Sequence, residues 1–187
     1  MPLPPVTRVE AQRLKLRPLA AADLPDLLEV NGDPEVTRFL PYETWQSLAD
    51  AEAWLVRMET MAASGTGQVL VLERRSDAKV IGDLLLFKYD EGSRRIELGY
   101  VLGRVHWGKG LMREAITAAC ACAFDELGIR RIEAEVNPEN LASCALLLKV
   151  GFAFEGRLRK RWEAKGNAYD TNIYGWLAED RLAAGAG

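Results

Sequence analysis

A chain of 187 residues, 49% hydrophobic and 27% charged, is long enough to bury a full core and reads as one folded unit, with a core from about residue 13 to 177. The net charge of −3 gives no electrostatic reason to expect nucleic acid, and no apolar run approaches the roughly 18 residues of a membrane span. The start, Met1-Pro-Leu-Pro-Pro-Val, lacks the basic and apolar regions of a secretion signal, and the cysteines are only three, so a cytoplasmic protein with buried, reduced thiols is expected.

Arg13 to Pro18 alternates and predicts a strand closed by its proline. Ala20 to Val30 has helical spacing, with Ala20, Leu24, Leu27 and Leu28 on one face, and Asn31-Gly-Asp-Pro stops it. A short helix is expected over 35–40. Ser47, with Asp50 three residues on, opens a capped helix that runs to about Met61 and ends at Ser64-Gly65. Three strands on short turns follow, at 68–74, 80–89 and 96–102, which predicts an antiparallel meander. In the first of them Val69, Val71 and Glu73 share a side; in the third, Ile96, Leu98, Tyr100 and Leu102 alternate with Glu97, Gly99 and Val101.

Gly103 to Gly110 turns into a long amphipathic helix carrying Met112, Ile116, Ala119, Ala123 and Leu127, ended by Gly128. Arg131 to Val136 is the next strand, and strand, helix, strand predicts a right-handed crossover with parallel pairing. Asn137-Pro-Glu-Asn is a loop, and Leu141 to Lys149 is a helix ended by Gly151. Residues 152–162 and 169–177 predict a long hairpin around Lys165-Gly166-Asn167. Its exposed edge strand would suit a homodimer. The Ala/Gly-rich tail from Ala178 is expected to fray.

The turn before the long helix carries the chemistry. Unpaired N–H groups and the helix dipole converge on it, and Gly108 and Gly110 let an oxyanion approach the backbone. A phosphate or pyrophosphate is the expected ligand. The spacing is neither Gly-x-x-x-x-Gly-Lys-Ser/Thr nor Gly-x-Gly-x-x-Gly, because Lys109 sits between the glycines and Arg113 occupies the third glycine's place. No metal is expected: His106 is the sole histidine, and Cys120 and Cys122 on one helix point apart.

The turn resembles the Gln/Arg-x-x-Gly-x-Gly/Ala acyl-CoA signature of the GNAT N-acetyltransferases. Gly108 and Gly110 match; the first place falls on Val105, with Arg104 adjacent. Asn137 to Arg159 is similar to the Asn-x-x-Ser…Lys-x-Gly-Phe…Glu-Gly-x-Leu-Arg segment of the RimJ/RimL-type branch. It matches at Asn140, Ser143, Lys149, Gly151, Phe152, Glu155, Gly156, Leu158 and Arg159. Asn167 to Tyr174 is similar to that branch's closing Gly-x-Tyr-x-Asp…Tyr pattern. On these motifs and the element order, the chain is identified as a member of the family. The resemblance implies an α/β (α+β) GNAT fold: a mixed, mostly antiparallel sheet of about seven strands, flanked by helices and splayed after its central strand.

It also implies acetyl-CoA as acyl donor and a primary amine as acceptor, either a protein N-terminal α-amine or a small amine or amino acid. Such an amine is mostly protonated near pH 7, so a base is needed. Glu97, in Glu-x-Gly-Tyr, is the first choice; the plain alternative is an exposed residue paired with Arg94 or Arg95. Backbone N–H groups near Tyr100, Val101 and Leu102 would receive the thioester oxygen, with Gly99 and Gly103 permitting a bulge. Where many relatives carry a tyrosine acid this chain has Leu147, and Ser143 is the substitute; a helix-start serine is the plain reading. Trp162, with Glu163 beside it, stands where the branch can carry a second carboxylate.

The donor would be held by Tyr100, Val101, Leu102, Val105, Trp107, Gly108, Lys109, Gly110, Leu111, Met112 and Arg113, joined by Asn137, Asn140 and Ser143. Capping and loop termination are the plain readings of the two asparagines. Arg104 is a further phosphate candidate, and Lys149 suits a solvated face. The acceptor would lie between the early helices and the final hairpin, near Phe39, Tyr42, Trp45, Trp162, Tyr169 and Asp170; most of these could equally be core. A non-catalytic acyl-CoA-binding or regulatory module, and an unrelated phosphate-binding α/β protein, are the competing readings.

Overall fold

The alternating segments assemble into an eight-stranded sheet in the computed structural model, which describes residues 2–184. In chain order the strands are β1 (Val9–Glu10), β2 (Leu14–Pro18), β3 (Gln68–Arg74), β4 (Val80–Asp90), β5 (Arg95–Leu102), β6 (Arg131–Val136), β7 (Ala153–Ala164) and β8 (Asn167–Leu177). Across the sheet they run β1-β2-β3-β4-β5-β6-β8-β7. The β5–β6 pair is parallel, with Ile96 opposite Ile132, and its neighbours are antiparallel. The strand beyond the expected seven is β1, whose two residues pair with Lys15 and Leu16 of β2 and carry no periodic signal of their own.

The helices are α1 (Leu24–Asn31), α2 (Pro34–Thr37), α3 (Leu48–Ala63), α4 (Leu111–Asp125), α5 (Leu141–Val150) and α6 (Ala178–Ala184). The Asp50 carboxylate accepts the Ser47 N–H at 3.0 Å, as the predicted cap requires. The second helix is shorter than expected, 34–37 rather than 35–40, because Pro34 starts it one residue early and it lasts a single turn. The tail is also corrected: residues 178–184 form α6 instead of fraying. The Leu177 N–H donates to Asp180 Oδ2 at 3.1 Å, and Arg181 bonds Asp125 at 2.7 Å, so charged groups hold the helix despite its alanines. Residues 185–187 lie outside the described part.

α4 and α5 cover one face of the sheet. Leu16, Leu72, Leu84, Ile96, Leu98 and Ile132 meet Ile116, Ala119, Ala123, Leu147 and Phe152 there. Ala115, Ala119 and Ala123 are fully buried, and their small side chains let α4 lie close to the strands. α1 and α3 cover the β2–β4 half of the opposite face with Leu24, Leu27, Trp45 and Trp54 against Val69, Val71 and Val80. With cover on both sides, β3 buries Val69, Leu70, Val71 and Leu72 in succession, and the expected alternation holds: Val69 and Val71 face α1 and α3, while Leu70 and Leu72 face the opposite core. Cys120 and Cys122 are buried, as expected; Cys144 is only half-buried.

β5 and β6 pair only through Arg95–Glu97 and Arg131–Glu133. Beyond Glu97, β5 continues beside β4 while β6 continues beside β8, so the sheet divides there. The divide needs no bulge at Gly99 or Gly103, which corrects the expectation: β4–β5 register is continuous from Gly82–Leu102 to Phe87–Glu97. The irregularity lies on β4 after Phe87, where Lys88 takes a φ of +51°.

Candidate active site

After β5 a 3-10 turn (Arg104–His106) leads through Trp107 to Gly110, which caps α4. Gly108 and Gly110 have φ of +70° and +74°, a conformation that glycine adopts without penalty. A Cβ on Gly108 would meet nothing within 4 Å among the described residues, so this backbone faces open space. The first N–H groups of α4 point the same way with the positive end of its dipole. The side chains of Leu111 and Met112 are core, leaving only their main chain for a ligand, and Arg113 is exposed.

Several groups hold this turn rather than reach out of it. Trp107 Nε1 donates to Leu102 O at 2.7 Å and Lys109 Nζ to Val105 O at 2.8 Å. Arg104 pairs with Asp33 at 2.7 Å, which ties the turn to the start of α2. Arg13 was missed: it donates to Lys109 O at 2.9 Å and to Glu114 Oε2 at 2.7 Å. It thereby neutralises the one carboxylate in the first turn of α4, where an anion would otherwise be repelled. Nothing near Arg13 in sequence signals this. Val105 (74% exposed) and Trp107 (47% exposed) stand at the mouth.

The parted strands lead from the turn into the molecule. Tyr100, Val101 and Leu102 line one wall; Val101 and Leu102 bury their side chains, so main chain is what they offer. On the other wall Asn137 Oδ1 accepts the Glu139 N–H and Asn140 Oδ1 accepts the Ser143 N–H, the capping readings of both. Ser143 Oγ lies 2.6 Å from the Tyr100 hydroxyl, a bond that joins α5 to β5. Burial raises the Tyr100 phenol above its ordinary pKa, so it stays protonated. Leu147 is fully buried in the core.

Glu97 lies where the strands part, only 5% exposed. Its Oε2 accepts from Lys88 Nζ at 2.7 Å, which removes the plain alternative of an exposed residue paired with Arg94 or Arg95. Arg95 instead bonds Glu133 at 2.6 Å. Burial raises the Glu97 carboxyl above its ordinary range, and the Lys88 ammonium partly opposes that. Lys88 also sits 4.0 Å from Glu135 and 5.6 Å from the centre of the Trp162 ring. Trp162 Nε1 donates to Glu135 Oε2 at 2.6 Å.

The acceptor candidates divide. Trp162 belongs to the Glu97 network, and Tyr169 pairs beside it. Tyr42 donates to Asn31 Oδ1 at 2.8 Å, and Phe39 lies under the Arg38 guanidinium at 5.1 Å. Lys165 Nζ donates to Thr37 O at 2.8 Å, bringing the hairpin tip to the end of α2. Two candidates serve the fold instead. Trp45 is 5% exposed and packs at a tilt against Trp54, ring centres 5.5 Å apart; Asp170 accepts from the Lys160 N–H at 3.0 Å and from Arg157 at 2.8 Å. Asp83 was missed because it stands inside an apolar strand. It is 6% exposed, its Oδ2 has no hydrogen-bond partner among the described residues, and burial pushes its carboxyl up to about 7.

Residues 13–153 match the family described as acetyltransferase (GNAT) domain. A protein named uncharacterized N-acetyltransferase p20, from Bacillus licheniformis, is 32% identical over 169 residues, spanning 90% of this chain and 95% of the relative. Among solved structures, spermidine N-acetyltransferase from Vibrio cholerae in complex with CoA and spermine has a TM-score of 0.79 at 24% identity, covering 91% of this chain and 98% of that one. Mycobacterium smegmatis RimJ in complex with CoA-disulfide has a TM-score of 0.82 at 23% identity, covering 95% and 94%. At these identities the two structures show a shared fold.

Proposed function

Because this chain belongs to the GNAT acetyltransferase family, we propose that it transfers the acetyl group of acetyl-CoA directly to a primary amine, an α-amine at a protein N-terminus or a small-molecule amine. One observation carries the reading: β5 parts from β6 at the buried Glu97, and the gap runs to the Gly108–Gly110 turn at the head of α4. The turn fits a pyrophosphate, since open space faces Gly108 and helix N–H groups converge on it. CoA in the Vibrio and Mycobacterium structures supports the same donor here.

The donor supplies the activated acetyl group; the chain's residues do the rest. Main-chain N–H groups of Tyr100 to Leu102 stabilise charge on the thioester oxygen. Glu97 accepts a proton from the ammonium, directly or through water, once Lys88 yields its place. Ser143, backed by the Tyr100 hydroxyl, returns a proton to the departing thiolate. The RimJ/RimL-type motifs favour a protein N-terminus; spermine in the Vibrio structure favours a small amine.

Calorimetric titration with acetyl-CoA, with ATP and NAD as controls, is the first test, followed by release of CoA thiol with peptides and small amines. Selective acetyl-CoA binding and turnover support the reading; indifference to acetyl-CoA removes it. The buried Leu147, in place of an acid, favours a binding module as the second reading, and binding without turnover of any amine would establish it.

A further inference from the structure

Asp83 costs the fold stability, because its Oδ2 is buried without a hydrogen-bond partner among the described residues. Its strand neighbours are Val71 on β3 and Val101 on β5, both buried. Val101 in turn packs on Val30, Val36 and Leu40 from the α1–α2 segment. Burial and then the nearby Asp83 carboxylate hold the Tyr42 phenol above its ordinary pKa. A valine would suit this environment; a carboxyl with an orphaned oxygen does not. Such a group is kept for a ligand more readily than for packing.

Its placement indicates which ligand. Asp83 is directly opposite Val101, so the two Cβ atoms are about 5 Å apart across the strands. Phe87 is opposite Glu97, and the even spacing puts Asp83 and Glu97 on one face, the face turned away from α4 and α5. Glu97 stands four residues from Val101 along β5, roughly 13 Å. Asp83 is therefore the carboxyl abreast of the main chain that receives the thioester, under the segment holding Phe39 and Tyr42.

We propose that Asp83 is the carboxylate that binds the acceptor's ammonium and takes its proton, admitted when the α1–α2 segment lifts. This rests on the acetyl-transfer reading and deepens it. In the step, one N–H proton passes from the ammonium to Asp83; the amine nitrogen bonds the acetyl carbon as the carbon–sulfur bond breaks. The nitrogen's second proton leaves with the thiolate through Ser143, and Asp83 returns its proton to solvent. Burial alone raises the Asp83 carboxyl while the segment is closed, and that rise relaxes as the segment lifts and the ammonium arrives, leaving a carboxylate able to hold the cation. Asp83 thereby takes over the proton that the acetyl-transfer reading gives to Glu97, and Glu97 is left to order water and the network around Lys88.

The test compares Asp83→Val and Asp83→Asn with the wild type in thermal unfolding, acetyl-CoA calorimetry and amine kinetics. Asp83→Val is expected to unfold at higher temperature at pH 8, with the gap shrinking at pH 5, where the wild-type carboxyl is protonated. Both variants are expected to bind acetyl-CoA as the wild type does, while kcat falls about 100-fold or more and the acidic limb of the pH–rate profile disappears. Destabilisation by valine at pH 8 would mark Asp83 as structural and overturn the proposal. So would an Asp83→Asn variant that binds acetyl-CoA and keeps the wild-type rate and profile, a result that leaves the acetyl-transfer reading standing. A wild type that does not bind acetyl-CoA removes both.

Discussion

Gly108→Ala isolates what the glycine turn does for the donor from what it does for the fold. The added Cβ meets nothing within 4 Å among the described residues, so the free protein feels only the backbone penalty of a side chain at φ +70°. That penalty is about 1–2 kcal/mol. For a chain of this length it corresponds to a fall in Tm of roughly 2–8 °C. Gly128, just beyond α4, supplies the control: its φ is +64°, and a Cβ there also meets nothing within 4 Å among the described residues. Gly128→Ala should therefore melt lower by a similar amount. Only Gly108→Ala sets a methyl against the proposed pyrophosphate, and losing one backbone contact to a charged group costs about 1.5–3 kcal/mol. CoA affinity should fall about 10- to 100-fold in Gly108→Ala and stay unchanged in Gly128→Ala, by calorimetry at one salt concentration. Equal affinities in the two folded variants would refute the assignment of the turn.

If Glu97 rather than Asp83 takes the ammonium's proton, Glu97→Gln should lower kcat at saturating acetyl-CoA and flatten the acidic limb of the pH–rate profile, since a proton acceptor works only above its raised pKa; an unaltered profile leaves that role to Asp83. Lys88→Met leaves burial unopposed at Glu97, so any limb due to Glu97 should move to higher pH; a limb that stays would disconnect it from this pair. Tyr100→Phe and Ser143→Ala should each cost about 1 kcal/mol in denaturant unfolding, and the double variant should cost less than their sum; strict additivity would mean the 2.6 Å bond carries no coupling. Asp83 predicts a pH-dependent stability. Its unfolded carboxyl ionises near 3.8 and its folded one near 7, so the folded state binds more protons between those values and stability falls as pH rises through them. The penalty is complete above pH 7, at about 4 kcal/mol from roughly three pKa units. The wild type minus Asp83→Asn difference across pH 4–8 measures it, and a flat difference would sink the argument.

The features legible in the sequence are those set by neighbours along the chain. Alternation, Ser47 with Asp50, and the glycines at 108, 110 and 128 placed most strands, helices and the glycine turn. Strand–helix–strand order anticipated the parallel β5–β6 pair, and with the family motifs it anticipated the divide after Glu97. Failures came where local chemistry competed with distant contacts. Arg94 and Arg95 adjoin Glu97 in sequence, but the irregularity after Phe87 swings Lys88 onto it, and Glu133 takes Arg95. Trp45 looked available for a ligand until α3 brought Trp54 against it.

The sequence by itself determined the order of elements and the backbone chemistry of the glycine turn, because hydrophobic period, caps and φ preference act within a few residues. Tertiary structure decided which side chains stand free for chemistry. Arg13 reaches Glu114 across 101 positions and Lys165 reaches Thr37 across 128. Asp83 is orphaned only because three separate segments close around it. Pairing and desolvation of charges depend on proximity in space, and one chain's local pattern does not specify which distant groups will supply it.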